Sequence, residues 1–424
     1  MRPVARGIAM TTNVDLVVVG GGIAGLTAAA FAARAGAKTV VLEGAPLSGG
    51  RARTLDHDGY RLNLGPHALF ASGAGARTLK ELGVSYSGRI ADGRGGFALY
   101  RSKLHTLPVG LVSLLTTGLL PMSDKIALGK LLTRVSSLDA TRFCGTTLRS
   151  WVEDVAESAL LRDFLYATLR VATYANAPDR SDAGASIAQL QRALDKGVYY
   201  LDGGWQTLVD GLLRVATGAG ARVLNGARVK TLVAAEADIL FPEHGLRARR
   251  AILAVSPKVA RDLGAVPELG TTPVRAACLD VALRELPRPE ARFALGIDHP
   301  LYYSVHTAYA DLAPNHGAVV HAAKYLSPDD EHDAEADRAE LAALIERMQP
   351  GHAAHVIESR FSPRLIVSHA LVTAEGRPEP ATALPGVYLA GDWVGSEGML
   401  ADAAFASARR AVELALDQSL ERAA

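Results

Sequence analysis

The sequence predicts an α/β fold: one domain assembled from discontinuous segments, and a mixed α+β domain carrying a helical insertion. Three observations predict it. The chain opens with an apolar run, a glycine-rich turn and an alanine-rich stretch, "VVVGGGIAGLTAAAFAARAG" over 17–36. Strand-like and helical patterns alternate near both ends of the chain. Between them, over 104–200, helical patterns dominate. The ends share a texture that the middle lacks, so the first domain is expected to be interrupted by the second. Its expected segments are 10–103, 201–270 and 376–424. The helical insertion takes 104–200, and 271–375 supplies a sheet and a helix.

Each element has its own signal. Residues 14–19 form an apolar run, as a strand buried on both faces requires. Residues 23–35 are alanine-rich and proline-free, a helix able to pack closely on a sheet. A second strand follows at 39–42. Strand patterns at 53–56 and 60–64 flank His57, Asp58 and Gly59 as a hairpin. Helices are expected at 76–82, 123–134, 147–155 and 157–168. The α/β texture returns with a turn at Gly203 and Gly204, a helix at 206–215, and strands at 221–224, 229–233 and 248–254. The second domain is expected to hold strands at 276–281, 302–305, 318–322 and 355–359, and a helix at 339–348 after an acidic run. The chain closes on strand, loop and helix, "PGVYLAGDWVGSEGMLADAAFASARRAVELAL".

Composition excludes some functions. A length of 424 residues, 49% hydrophobic, supports two packed domains. Lys and Arg number 45 against 44 Asp and Glu, so no global charge attracts nucleic acid. Cys144 and Cys278 match no metal-ligand spacing and read as thiols of a reducing compartment. The start, "MRPVARGIAMTTN", lacks the apolar core of a secretory signal and reads as a loose tail in which Met10 is an alternative start. No run reaches the roughly 18–20 apolar residues of a spanning helix, so a cytoplasmic protein, at most peripheral to a membrane, is expected. The stretch 107–120, "LPVGLVSLLTTGLL", has two readings. It is a core helix, or an apolar mouth that admits a lipid-like substrate or touches a membrane surface transiently.

Gly20, Gly22 and Gly25 form G-x-G-x-x-G between the first strand and the first helix, with Ala24 inside the motif. Gly20 permits the tight turn, Gly22 lets backbone approach a pyrophosphate, and Gly25 lets helix and sheet pack. The helix N-terminus favours the anion. Glu43 follows the second strand, eighteen residues after Gly25, where a carboxylate accepts from ribose hydroxyls and repels a 2′-phosphate. These features give a Rossmann-like dinucleotide site, and leave NAD and FAD both open. "GGRART" over 49–54 adds Gly50 for close backbone approach and Arg51 as a donor fork for a diphosphate.

With these motifs in hand, the chain resembles the FAD-dependent amine oxidase, phytoene desaturase and protoporphyrinogen oxidase superfamily. The resemblance rests on 17–54 and on "GVYLAGDWV" near the end, and extends over essentially the whole chain. It implies that Gly20, Gly22, Gly25 and Glu43 hold the ADP half of FAD. It puts Gly50 and Arg51 beside the pyrophosphate and flavin, and pairs the Val229 backbone with adenine. It places Asp392, after Gly391, at the ribityl or pyrophosphate region. Trp393, from its position directly after that pair, is expected to close the site near the flavin. No cysteine follows Cys278, so the FAD is expected to be non-covalent. The flavin-contacting lysine of some amine oxidases has no counterpart on the strand "RAACLDVAL".

His67 in "LGPHALF", and Tyr302 and His306 in "LYYSVHTAY", are the catalytic candidates. A second dinucleotide motif is absent from the sequence, so O2 or a quinone is the expected electron acceptor. The favoured activity is dehydrogenation of a C–C or C–N bond in an apolar or mixed small molecule, in the manner of a phytoene desaturase or protoporphyrinogen oxidase. The alternative is a flavin amine oxidase. A third reading, a non-catalytic prenyl-binding protein resembling Rab GDP-dissociation inhibitors, is disfavoured by the intact Glu43, "GGRART" and "LAGDW" motifs.

Overall fold

The computed structural model describes residues 12–93, 95–235 and 238–417, and the N-terminal tail with Met10 lies outside them. A seven-stranded sheet is built from both ends of the chain and from its middle. Thr12–Val19 is central, flanked in parallel by Thr39–Glu43 and Leu246–Leu253. Arg222–Asn225 extends one side, and Val387–Leu389 joins Leu246–Leu253 in parallel. Along the first strand, Leu16 and Val18 enter one core while Val17 and Val19 enter another. Both faces are covered over residues 16–19, which is why that part of the strand is apolar throughout. The helices Ile23–Arg34, Gln206–Gly218 and Leu400–Ala415 share the core on one face.

The second sheet, also seven-stranded, runs Val356–Ser368, Val274–Leu283, Ala318–Leu326, Leu301–Val305, Phe293–Gly296, Gly96–Tyr100, Lys103–Thr106. One face packs on the helix Ala334–Met348. Its N-cap is Asp333, with Glu335 and Asp337 in the first turn, which accounts for the acidic run. The insertion contributes the helices Met122–Val135, Leu148–Val155, Ala159–Thr173 and Ala183–Lys196.

Three expectations are corrected. Residues 96–106, divided by the expected boundary after 103, form a hairpin on the second sheet, where Gly96–Tyr100 pairs in parallel with Phe293–Gly296. That pairing spans nearly 200 residues, and a local pattern cannot reveal it. The strand expected at 229–233 is mostly loop, and only Val233–Ala235 pairs. Gly226 and Ala227 donate instead to the carbonyls of Ala45 and Glu43, which draws this loop under the nucleotide-binding end. Finally, 107–120 is not a core helix. Leu111–Thr116 is a short helix with only Leu114 buried, and Leu111, Val112 and Leu115 are 73%, 75% and 56% exposed. Among the described residues no helix is long and apolar enough to cross a membrane.

Candidate active site

A cavity of about 1310 Å³ lies where the first sheet meets the edge strand of the second. At its nucleotide end the glycines divide their work. A Cβ on Gly25 would sit 1.8 Å from the Gly20 carbonyl oxygen, and one on Gly20, at φ +105°, would sit 2.3 Å from the Ala254 oxygen. Those two glycines serve chain-to-chain approach. Gly22 lines the cavity with nothing within 4 Å of its would-be Cβ. The open space above the helix N-terminus is where an anion is favoured. Ala24 and Gly50 also line it, while Gly25 is enclosed in the packing.

Glu43 reaches back over the glycine turn. Its Oε2 accepts from Gly21 N–H and its Oε1 from Ala45 N–H, each at 2.6 Å. Each oxygen keeps a second lone pair for a hydroxyl. Val229 lines the same end beside Arg228 and Lys230.

The other end is tied by a cluster that spans the chain. Arg51 Nη1 donates to Asp392 Oδ2 at 2.9 Å and to the Val367 carbonyl at 2.7 Å. His369 contacts Asp392 Oδ1 through Nδ1 at 3.0 Å and donates its backbone N–H to Oδ2. Burial alone would raise the Asp392 carboxyl, but Arg51 and His369 outweigh it and hold the group well below the ordinary carboxylate range. Asp392 therefore positions Arg51 rather than offering a free carboxylate. Gly391, at φ +152°, lies on the cavity wall, where Ser407 Oγ pins its N–H and carbonyl at 2.9 Å each.

Arg377 secures the loop that follows. Its guanidinium donates to the carbonyls of Gly395, Asp392 and Gly398 at 2.8, 3.2 and 2.7 Å. Burial lowers its pKa to about 10, against the pull of Asp392. Trp393 does not close the site. It is fully buried, its Nε1 donates to the Val255 carbonyl, and it is absent from the cavity wall.

Of the catalytic candidates only His67 reaches the cavity. Its Nδ1 lies 3.0 Å from the Gly65 carbonyl. A carbonyl only accepts, so Nδ1 carries the proton and Nε2 keeps its lone pair. Burial lowers its pKa to about 4, only partly opposed by the Gly65 bond, so the ring is neutral at ordinary pH. Trp205, at the start of Gln206–Gly218, sets its ring 5.1 Å from that of His67 and also lines the cavity. Tyr302 and His306, only 2% and 0% exposed, lie behind this wall with Tyr200, and burial keeps His306 neutral. They do not touch a ligand in the cavity, because alternation along Leu301–Val305 turns Tyr302 into the sheet's packed interior. His369, Arg377 and Trp205 were missed by sequence reasoning, because none sits in a spaced motif. Their proximity is purely tertiary.

Residues 18–82 match a family model described as an NAD(P)-binding Rossmann-like domain. A phytoene desaturase of Cercospora nicotianae is 44% identical over 69 residues, 16% of this chain and 11% of that protein. The chain thus spans about a tenth of that relative's length. Over nearly the whole length the likeness is in fold. A crystal structure of an oxidoreductase from Methanosarcina mazei superposes with a TM-score of 0.75 at 18% identity, over 95% of this chain and all of the other. Putrescine oxidase bound to putrescine superposes with a TM-score of 0.72 at 17% identity, over 96% and 100%. In its nucleotide-binding segment and in its fold, the chain resembles the superfamily of FAD-dependent amine oxidases, phytoene desaturases and protoporphyrinogen oxidases.

Proposed function

We propose that this chain binds FAD non-covalently and oxidises a C–N bond of an amine. The observation that carries the reading is the single cavity joining the open space at Gly22 to the neutral imidazole of His67. The residues fit the group: Gly22 and Gly50 would cradle its pyrophosphate, Glu43 its ribose and Val229 its adenine. FAD, when bound, supplies a hydride acceptor and passes two electrons on to O2 or a quinone. The chain does the rest. Arg51, fixed by Asp392 and His369, orients the anionic part of the cofactor. His67 offers an accepting Nε2 to a substrate N–H without adding positive charge beside an amine. Trp205 walls that side against water.

The comparisons favour this amine reading over the desaturase-like one first drawn from sequence. The protein that superposes over the full length with a named substrate bound is an amine oxidase, whereas the desaturase match covers a short segment. Replacement of His67 by Asn is expected to slow anaerobic flavin reduction by about 10²-fold, the scale of one positioned hydrogen-bonding group. The pH profile should keep its shape above roughly pH 5, because His67 is neutral there. Flavin reduction by amines at an unchanged rate in His67→Asn would remove His67 from the site.

Arg377→Ala is expected to weaken FAD binding by about tenfold to a hundredfold, the scale of the charge-assisted bonds it makes. Titration of the apoprotein with FAD, followed by flavin fluorescence, checks this.

One observation favours a lipid-like substrate instead. Val109, Leu111, Val112, Leu115, Met122 and Ile126 are all more than half exposed on one stretch. If that reading holds, the protein should float with liposomes, and Leu111→Glu with Val112→Glu should release it.

A further inference from the structure

Across the second sheet, Arg360, Asp280, His321 and Ser304 lie opposite one another on four adjacent strands. Directly paired residues share a face, so this is one polar row. Its inner members are enclosed, and Asp280 Oδ2, His321 Nε2 and Ser304 Oγ are buried without a hydrogen-bond partner. Asp280 and His321 meet at 2.6 Å with no solvent exposure, and Ser304 is equally buried. Arg360 is the outer member, on the edge strand, and it lines the cavity. Its Nη1 is buried and has no hydrogen-bond partner. Among the described residues no ion pair joins Arg360 to a carboxylate, and the facing Asp280 bonds His321 through Oδ1 and leaves its Oδ2 unpaired.

A guanidinium stays charged at any working pH, and a buried N–H group of it without a partner, here Nη1 of the partly buried Arg360, is costly. The acids on the cavity wall near the nucleotide path each hold at least one partner already, with Asp402 Oδ2 left unpaired. Glu43 holds two backbone amides, Asp392 holds Arg51, and Asp402 accepts from Gly75 N–H. Along the wall formed by 360–367 the only charged side chains are Arg360 and Arg364, both cationic. Trp205 adds a second buried donor without a partner, its Nε1.

From this geometry we infer that Arg360 is a substrate-specificity residue, and that the cavity takes a carboxylate-bearing molecule. The planar fork of the arginine matches a carboxylate in a bidentate pair. This rests on the amine reading and narrows it: the substrate carries a carboxylate as well as the oxidised amine. Arg360 binds the carboxylate and takes no part in the bond breaking.

The test uses benzoate as the probe, with benzamide as its uncharged isostere. Each is titrated into the FAD-loaded protein by flavin absorbance and into the apoprotein by calorimetry. Benzoate is expected to bind about tenfold or more tightly than benzamide, and Arg360→Gln to remove that preference while FAD affinity and melting temperature hold. Equal binding of the two probes overturns the inference. So does a benzoate preference that survives in Arg360→Gln, or a variant that only loses stability, which makes Arg360 a distant counter-ion of Asp280. Failure of the wild type to take up FAD would instead contradict the proposed function, and the calorimetric arm would still decide the role of Arg360.

Discussion

Gly22→Val is expected to abolish FAD binding in a chain that stays folded, whereas Gly25→Val is expected to unfold it. The two glycines are three residues apart in one motif, yet they face different partners. Gly22 has φ −77° and ψ −176°, an extended conformation that valine adopts without strain, and its Cβ position is open. The new side chain would occupy the space above the helix N-terminus. Loss of about 100-fold or more in FAD affinity is expected, with little change in the melting temperature of the apoprotein. At Gly25 the Cβ would fall 1.8 Å from the Gly20 oxygen, and helix and turn would have to separate. That exceeds ordinary overpacking, which costs about 1–3 kcal/mol. Circular dichroism and FAD fluorescence on both variants check the contrast. Normal FAD binding by Gly22→Val would mean that no pyrophosphate crosses that helix.

Asp392→Ala should be the most damaging change at the far end of the site. It leaves Arg51 and His369 without their shared acceptor. Removing one partner of a buried pair costs about 3–5 kcal/mol, and the lower end applies because Arg51 keeps contact with solvent. FAD binding is expected to fall with it, since Arg51 loses its orientation. The pH dependence has a definite sign. The folded-state pKa of Asp392 is depressed, so its contribution is complete above the unfolded value near about 4 and disappears as pH falls through the lower folded value. Urea unfolding from about pH 5 downward (the linkage window runs from roughly pH 5 to pH 1) should show a smaller acid loss in Asp392→Ala than in the wild type. Equal acid sensitivity would mean that Asp392 carries no depressed pKa.

The nucleotide half of the site was legible because its determinants are local. A glycine turn, an apolar strand and an acid at fixed spacing are all contained in 17–43. The hairpin Thr54–His57 with Tyr60–Asn63 and the helix Met122–Val135 were legible for the same reason. The substrate half was not. His369, Trp205 and Arg360 reach the cavity from separate elements, and no periodicity marks them. Tyr302 and His306 misled because an aromatic-rich strand reads alike whether it lines a pocket or packs beneath one. Trp393 misled through its position next to Asp392, since neighbours along a chain need not share a face. The stretch 107–120 was ambiguous because exposed and buried apolar helices have the same composition.

The most direct test of the proposed activity is anaerobic titration of the FAD-loaded protein. Two pools are compared by flavin absorbance: amines that also carry a carboxylate, and apolar isoprenoids with reduced porphyrins. The proposal predicts bleaching by the first pool and restoration of the oxidised spectrum when oxygen or a quinone is admitted. Bleaching by the second pool alone would contradict it, and would assign the exposed helix Leu111–Thr116 to the substrate entrance.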